Sequence, residues 1–427
     1  MIRVENASSE AVDRIARRAA ERDARVEASV RSILEDVRAR GDRALYEYAL
    51  RFDRASLRSI AVSREEIESA HRSVDPELMA SLRLAASNIE RFHRAQIREG
   101  FSCALPDGSL VGQRVLPMDR VGVYIPGGTA SYPSSALMNA IPARLAGVPE
   151  IVAATPPGED GSIPPPVLAA LRLAGATEVY KVGGAQAIAA LAYGTESIRR
   201  VDKIVGPGNA YVNCAKKLVY GAVGIDMPAG PSEVVIVADS TVDARFVASD
   251  LLSQAEHDPS AIAILIAVDA GSAEAVRREL ERQLDGLPRE GIARRAIDGG
   301  GAILVADCVE SAIELANRFA PEHLELCVAD PLALLDRVRN AASVFLGPYA
   351  PVALGDYLAG PNHTLPTGGA ARFASPLGVD DFARRSSYVY YSKAAFYSAS
   401  ADIARIARGE GLEAHARSAL IRAEGEG

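Results

Sequence analysis

Val121-Gly122-Val123-Tyr124-Ile125-Pro126-Gly127-Gly128 is a short β-branched run that ends on a proline and two glycines, after which the sequence turns helical. The same rhythm returns three times, with strands expected at 150–155, 178–182 and 202–205. Apolar runs of this length alternating with helical stretches imply parallel strands joined by helical crossovers. After Ser232 the alternation resumes at 234–237, 261–268, 302–305, 324–328 and 343–346. Two such blocks, divided near Asp226-Met227-Pro228-Ala229-Gly230-Pro231, predict an α/β protein with two doubly wound, incomplete Rossmann-like domains.

Residues 8–97 read as mostly helical. Ser63-Arg64-Glu65-Glu66 forms a capping-box pattern, and Asp75-Pro76 pairs an N-cap with proline at the first helical position. From about 378 the chain holds Tyr388, Tyr390, Tyr391, Phe396 and Tyr397, then a helical stretch to 422. Clustered aromatics fit either a subunit interface or a tail packed on its own subunit.

At 427 residues, two or three domains are expected. The longest apolar run, 261–268, is too short to cross a bilayer, and the charged start lacks the apolar stretch of a secretory signal, so cytoplasm is the expected location. A net charge of −8 without a basic stripe argues against nucleic-acid binding. Cys103, Cys214, Cys308 and Cys327 contain no C-x-x-C pair and are expected to be buried free thiols.

The chain has six histidines. His71 and His93 lie in charged helical sequence and read as surface residues, whereas His257, His323, His363 and His415 sit in short polar clusters, as expected of metal ligands or proton carriers. Gln254 and His257 are three apart on a helical stretch and share a face. They are candidate metal ligands, although His257 near a helix end equally complements the helix dipole. Asp356 and His415 offer two further donors suited to zinc. Glu322-His323 pairs a group able to activate water with one able to take up protons; a surface salt-bridge element is the plainer reading. Tight glycine turns at Pro126-Gly127-Gly128, Gly183-Gly184-Ala185-Gln186 and Gly206-Pro207-Gly208-Asn209 let a phosphate approach helix-start N–H groups, or serve turn geometry alone. Neither G-x-G-x-x-G at these turns nor a P-loop is present.

Ile225-Asp226-Met227-Pro228-Ala229-Gly230-Pro231-Ser232-Glu233, running on through Ala248-Ser249-Asp250-Leu251-Leu252-Ser253-Gln254-Ala255-Glu256-His257, closely resembles the signature of the histidinol dehydrogenase family. Tyr124-Ile125-Pro126-Gly127-Gly128, Gly183-Gly184-Ala185-Gln186-Ala187, Gly206-Pro207-Gly208-Asn209-Ala210, Ala320-Pro321-Glu322-His323, Gly360-Pro361-Asn362-His363 and Glu410-Gly411-Leu412-Glu413-Ala414-His415 follow in family order. The resemblance implies oxidation of L-histidinol through L-histidinaldehyde to L-histidine with two NAD, on a homodimer with one zinc ion per subunit. It implies that Gln254, His257, Asp356 and His415 hold the zinc and that Glu322 and His323 are catalytic. These six residues, with Ser232, His363 and Glu410, would contact substrate, and Tyr124, Gln186 and Asn209 would contact NAD. Covalent catalysis by cysteine is discounted, because none of the four has a matching base beside it in these motifs.

The implied organisation is a helical arm over 1–25, a first α/β domain over 26–118 and 232–377 carrying the Glu-His pair and most metal ligands, an NAD-contacting α/β domain over 119–231, and a helical, dimer-swapped tail over 378–427 that lends Glu410 and His415 to the partner subunit. Rival readings are a relative acting on another polar alcohol such as a sulfonated diol, a zinc hydrolase with Glu322 as base, and a non-catalytic binding protein.

Overall fold

The structure, a computed structural model, describes residues 2, 4–20, 24–128, 130–227 and 230–424. The described chain divides into two compact units, Met1–Gln96 with Met118–Phe382, and Ile97–Pro117 with Ala383–Gly427. The first unit holds two parallel sheets. The six-stranded one runs in the order β1 (Val4–Asn6), β11 (Ala302–Val305), β10 (Ile262–Ala267), β9 (Glu233–Ala238), β12 (His323–Cys327), β13 (Ser343–Leu346). The five-stranded one runs β6 (Glu178–Lys181), β5 (Glu150–Thr155), β4 (Arg120–Tyr124), β7 (Lys203–Val205), β8 (Gly224–Ile225).

Every residue of β4, β7, β9, β10 and β12 is buried. This is why these strands read as continuous apolar runs rather than alternating ones: helices cover both faces of a parallel sheet. Along β9, Val234, Ile236 and Ala238 join a core shared with α10 (Ala244–Ala255), α11 (Ala270–Leu284) and α12 (Glu290–Gly300), while Val235 and Val237 join a core shared with α1 (Ser9–Ala20) and α13 (Val309–Phe319). Burying one such valine side chain contributes roughly 1.5–3 kcal/mol. A single polar substitution here is therefore expected to cost as much as several surface contacts.

In the other sheet, Tyr124 faces the core of α2 (Ala24–Arg40), α3 (Asp42–Phe52), α8 (Gly184–Tyr193) and α9 (Ala210–Val219). Val121, Val123 and Ile125 face α5 (Pro76–Arg94), α6 (Pro133–Leu145) and α7 (Pro165–Ala174), with α4 (Arg64–Ser73) packed on α7. Arg120, almost fully buried, starts β4 and binds Glu150 and Glu178 at the starts of β5 and β6 at 2.6 Å each. It ties the amino ends of three strands together.

The expected strand positions agree with this architecture to within about two residues, as does the Ser63 capping box. Several readings need correction. Residues 26–96 pack through α2 to α5 on the five-stranded sheet, not on the domain that carries the Glu-His pair. The N-terminal segment is more than a helical arm, because β1 pairs in parallel with β11. The second unit is not purely helical: β2 (Phe101–Ala104), β3 (Leu110–Pro117) and β14 (Ala383–Tyr390) form an antiparallel sheet, followed by α15 (Lys393–Gly409) and α16 (Glu413–Ala423). β14 is too polar and exposed, and β2 too short and exposed, to show as apolar runs. Pro228 and Ala229, inside the expected junction, lie outside the described residues. Cys103 and Cys308 are exposed and Cys214 half-buried, so only Cys327 is the expected buried thiol. His93 is fully buried, its Nδ1 within 2.9 Å of the Ile89 carbonyl oxygen, rather than a surface residue. No helix among the described residues is long and apolar enough to cross a membrane.

Candidate active site

Parallel strands of the six-stranded sheet pair His323, the first residue of β12, with Val234, next to Glu233, the first residue of β9. The His323 ring Nδ1 lies 3.0 Å from the Glu233 carbonyl oxygen. A carbonyl only accepts, so Nδ1 carries the proton and Nε2 has the free lone pair. That Nε2 is buried and has no hydrogen-bond partner, while the Asp356 carboxyl oxygen stands 3.9 Å away. Burial lowers the His323 pKa to about 4, so the ring is neutral near pH 7.

Glu322 accepts the Glu233 backbone N–H at 2.8 Å. Burial, with Glu233 and Asp356 adding like charge, pushes its carboxyl well above the usual range. Burial likewise moves Glu233 and Asp356 up to about 7. One Glu233 oxygen accepts the Gly368 N–H at 3.1 Å, and the other is buried without a partner. His363, also lowered to about 4 by burial, has its Nδ1 3.0 Å from the Asp356 carbonyl oxygen and its Nε2 3.1 Å from the Ser135 hydroxyl.

α10 runs back toward the same edge, bringing buried Gln254 in its last turn and His257 just past its C-cap. His257 keeps a solvent-exposed face, yet enough protein surrounds the ring to lower its pKa, and it acts electrostatically on both His323 and His363. Asp356 comes from α14 (Val352–Tyr357), and Ser232 immediately precedes β9. A cavity of about 280 Å³ opens here, lined among others by His323, Phe345, Leu354, Asp356 and His363. Glu410, at the C-cap of α15, and His415, in the first turn of α16, are exposed and lie in the second unit. Among the described residues, no three His, Cys, Asp or Glu side chains of one chain are grouped closely enough to hold a metal ion.

The expected cofactor residues meet at the carboxyl edge of the five-stranded sheet. Tyr124 ends β4, Gln186 is in the first turn of α8, and Asn209 caps α9. The buried Tyr124 hydroxyl accepts the Gly184 N–H at 3.0 Å, and burial pushes its pKa up to about 12. The strand order reverses between β4 and β7, and the crevice outside such a reversal is where open α/β sheets bind ligands.

Two site residues escaped the sequence reading. Glu233 begins a wholly buried strand, and a carboxylate opening an otherwise apolar run was the available signal. Ser135, in the first turn of a helix, carries no sequence signal, since serine is common there.

A family model described as histidinol dehydrogenase matches residues 16–423. A histidinol dehydrogenase of Geobacter sulfurreducens is 55% identical over 401 residues, covering 93% of each chain. Another, of Heliobacterium mobile, is 51% identical over 404 residues, covering 94% of this chain and 95% of the relative. The crystal structure of a histidinol dehydrogenase from Elizabethkingia anophelis aligns with a TM-score of 0.92 at 38% identity, covering 99% of this chain and 98% of that one. Over nearly its whole length, in sequence and in fold, the chain belongs to the histidinol dehydrogenase family of oxidoreductases.

Proposed function

We propose that this protein oxidises L-histidinol to L-histidine in two successive dehydrogenations with NAD, in the cytoplasm. The observation that carries the reading is the orphaned, buried Nε2 of His323, its tautomer set by the Glu233 carbonyl, facing the cavity that Asp356 and His363 line. It is a proton acceptor with nothing to accept from until a substrate hydroxyl arrives. NAD, held at the turns beside Tyr124, Gln186 and Asn209, would supply the hydride acceptor for each oxidation.

In the first step, the carbinol O–H gives its proton to His323 Nε2 as its carbon loses hydride, leaving the aldehyde. Asp356, 3.9 Å away, stabilises the resulting imidazolium. Water then adds to the aldehyde, and the hydrate loses a second hydride and proton to give the acid. Glu322 is our assignment as base for that water. In the resting protein its raised pKa keeps it protonated, so it must first release that proton.

The site suits a divalent cation. Glu233, Glu322 and Asp356 are three desolvated carboxyls on which no arginine or lysine acts among the described residues. Gln254, His257 and Asp356 offer the nitrogen and oxygen donors zinc favours, and His415 of the partner subunit is the fourth ligand in this reading. Zinc would supply orientation of the substrate's imidazole and amine. The exposed Glu410 and His415 in the second unit suit a homodimer that shares its sites. Co-expressing a His323→Ala chain with a His415→Ala chain and isolating the heterodimer tests this: about half the parental activity returns if sites are shared and independent. A dead heterodimer rules sharing out.

The deciding assay follows NADH formation from histidinol. Two NADH per histidinol are expected, lost on chelation and restored by zinc. Turnover of a sulfonated diol but not of histidinol would overturn the substrate assignment.

A further inference from the structure

The turn that carries Asn209 is gripped from beneath by groups that no part of the proposed reaction uses. Gly206 adopts φ +116°, and a Cβ there would stand 2.2 Å from the Tyr124 carbonyl oxygen, so only glycine lets the two segments touch. Its N–H donates to an Asp226 carboxyl oxygen at 2.8 Å, and its carbonyl accepts from Lys216 Nζ at 2.8 Å. Lys216 and Asp226 form an ion pair at 2.5 Å with side chains 2% and 0% exposed. Asp226 also accepts the Met227 N–H at 2.7 Å, on the segment that leads toward Ser232. One turn of helix before Lys216, the buried Asn213 donates to the Gly208 carbonyl at 2.7 Å. Asn209, Asn213 and Lys216 are spaced to share one face of α9.

The turn's polar groups are thus divided. The carbonyls of Gly206 and Gly208 are occupied by side chains of α9, whereas the N–H groups of Gly208, Asn209 and Ala210 have no partner among the described residues. The Asn209 side-chain oxygen caps α9 by accepting from Tyr211 and Val212, which leaves its amide nitrogen as a donor. An ion pair buried this deeply is a poor device for stability alone, because an apolar pair of similar size commonly serves as well. What it does do is fix one peptide from both sides.

Resting on the cofactor reading above, we infer that Lys216 and Asp226, with Asn213 beside them, are positioning residues for dinucleotide binding: they hold the Gly206–Asn209 turn so that its free N–H donors face the cofactor. The test is isothermal titration of the zinc-loaded protein with NAD and, separately, with histidinol, together with steady-state kinetics. Lys216→Gln/Asp226→Asn removes both charges and keeps polar groups in place. Its Kd and KM for NAD are expected to rise about 10- to 100-fold, the worth of charged hydrogen bonds, while the histidinol Kd stays at the parental value and kcat recovers at saturating NAD. Should the double variant fold poorly, Asn213→Ala serves, with a rise of about 3- to 10-fold from one neutral bond. A fall in melting temperature with unchanged NAD affinity would make the pair merely structural. Equal weakening of NAD and histidinol would mean general loosening, and either result overturns the inference. If the parent protein itself fails to bind NAD, the cofactor reading falls first and this one with it.

Discussion

The two parallel sheets are wound alike, each reversing strand order once, between β4 and β7 in one and between β9 and β12 in the other. In the function proposed above they are nevertheless used at opposite ends. At the carboxyl edge of the five-stranded sheet the exposed chemistry is backbone: glycine turns and the N-termini of α8 and α9, which favour an anionic ligand. In the six-stranded sheet Asp239, just past β9, already engages N–H groups at that edge, accepting from Thr241 and Ala329 at 2.9 Å each. Its chemistry lies instead at the amino edge, in desolvated side chains: Glu233, Glu322 and His323. On that reading a shared winding marks two crevices, and the one whose N–H groups are still free is the one that takes a ligand.

The sharpest way to break this division is at His323. His323→Gln is expected to lower kcat by roughly 10²–10⁴-fold, the usual worth of a positioned base, while NAD affinity measured by titration stays unchanged. Loss of NAD affinity in step with kcat would show that the two edges are not separate. Glu322→Gln is expected to be milder and selective, slowing oxidation of the aldehyde more than of the alcohol, because only the aldehyde must be hydrated. An equal loss of rate with both substrates, measured separately, would reduce Glu322 to the acceptor of the Glu233 N–H that the fold already makes it.

The smallest effect concerns a carboxyl pair just inside the amino edge. Glu325, two residues along β12 from His323, accepts the Val352 N–H at 2.8 Å at the start of the helix that bears Asp356, and hydrogen-bonds to Asp250 of α10. Burial raises Asp250 to about 6, and burial with Asp250 beside it raises Glu325 well above the ordinary range, so Glu325 keeps the proton of the pair. The unfolded glutamate ionises near pH 4.3, so the stability this group contributes is lost as pH climbs above that value toward its folded pKa. Glu325→Gln, a permanently neutral amide, is expected to melt close to the parent at pH 4.5 and a few degrees above it at pH 8. Parallel melting curves across that range would show that Glu325 is ionised in the folded protein.

Local signals in the sequence were dependable where an element's own residues decide its form. Ser63 caps α4, Asp75 caps α5, and the strands β5, β11 and β13 appear at their expected limits. They failed where partners far along the chain decide. The largely exposed β14 is a strand because it pairs with β3, from Ala383 opposite Pro117 to Tyr390 opposite Leu110, and nothing in its composition announces that partner. His93 looks like a helix-surface residue until α5 is packed on α6 and the Asn362 loop.

The candidate site divides along the same line. Sequence alone determined that four polar histidine clusters and three glycine turns exist, in a chain that matches the histidinol dehydrogenase family, because residue identity and spacing are carried by the chain itself. Only the tertiary structure decided that His323 presents Nε2 rather than Nδ1, that Glu233 and Ser135 belong to the site, and that Lys216 and Asp226 hold the Asn209 turn. Tautomers, desolvated carboxyls and buried ion pairs depend on which atoms displace water around a group, and that is settled when distant segments pack together.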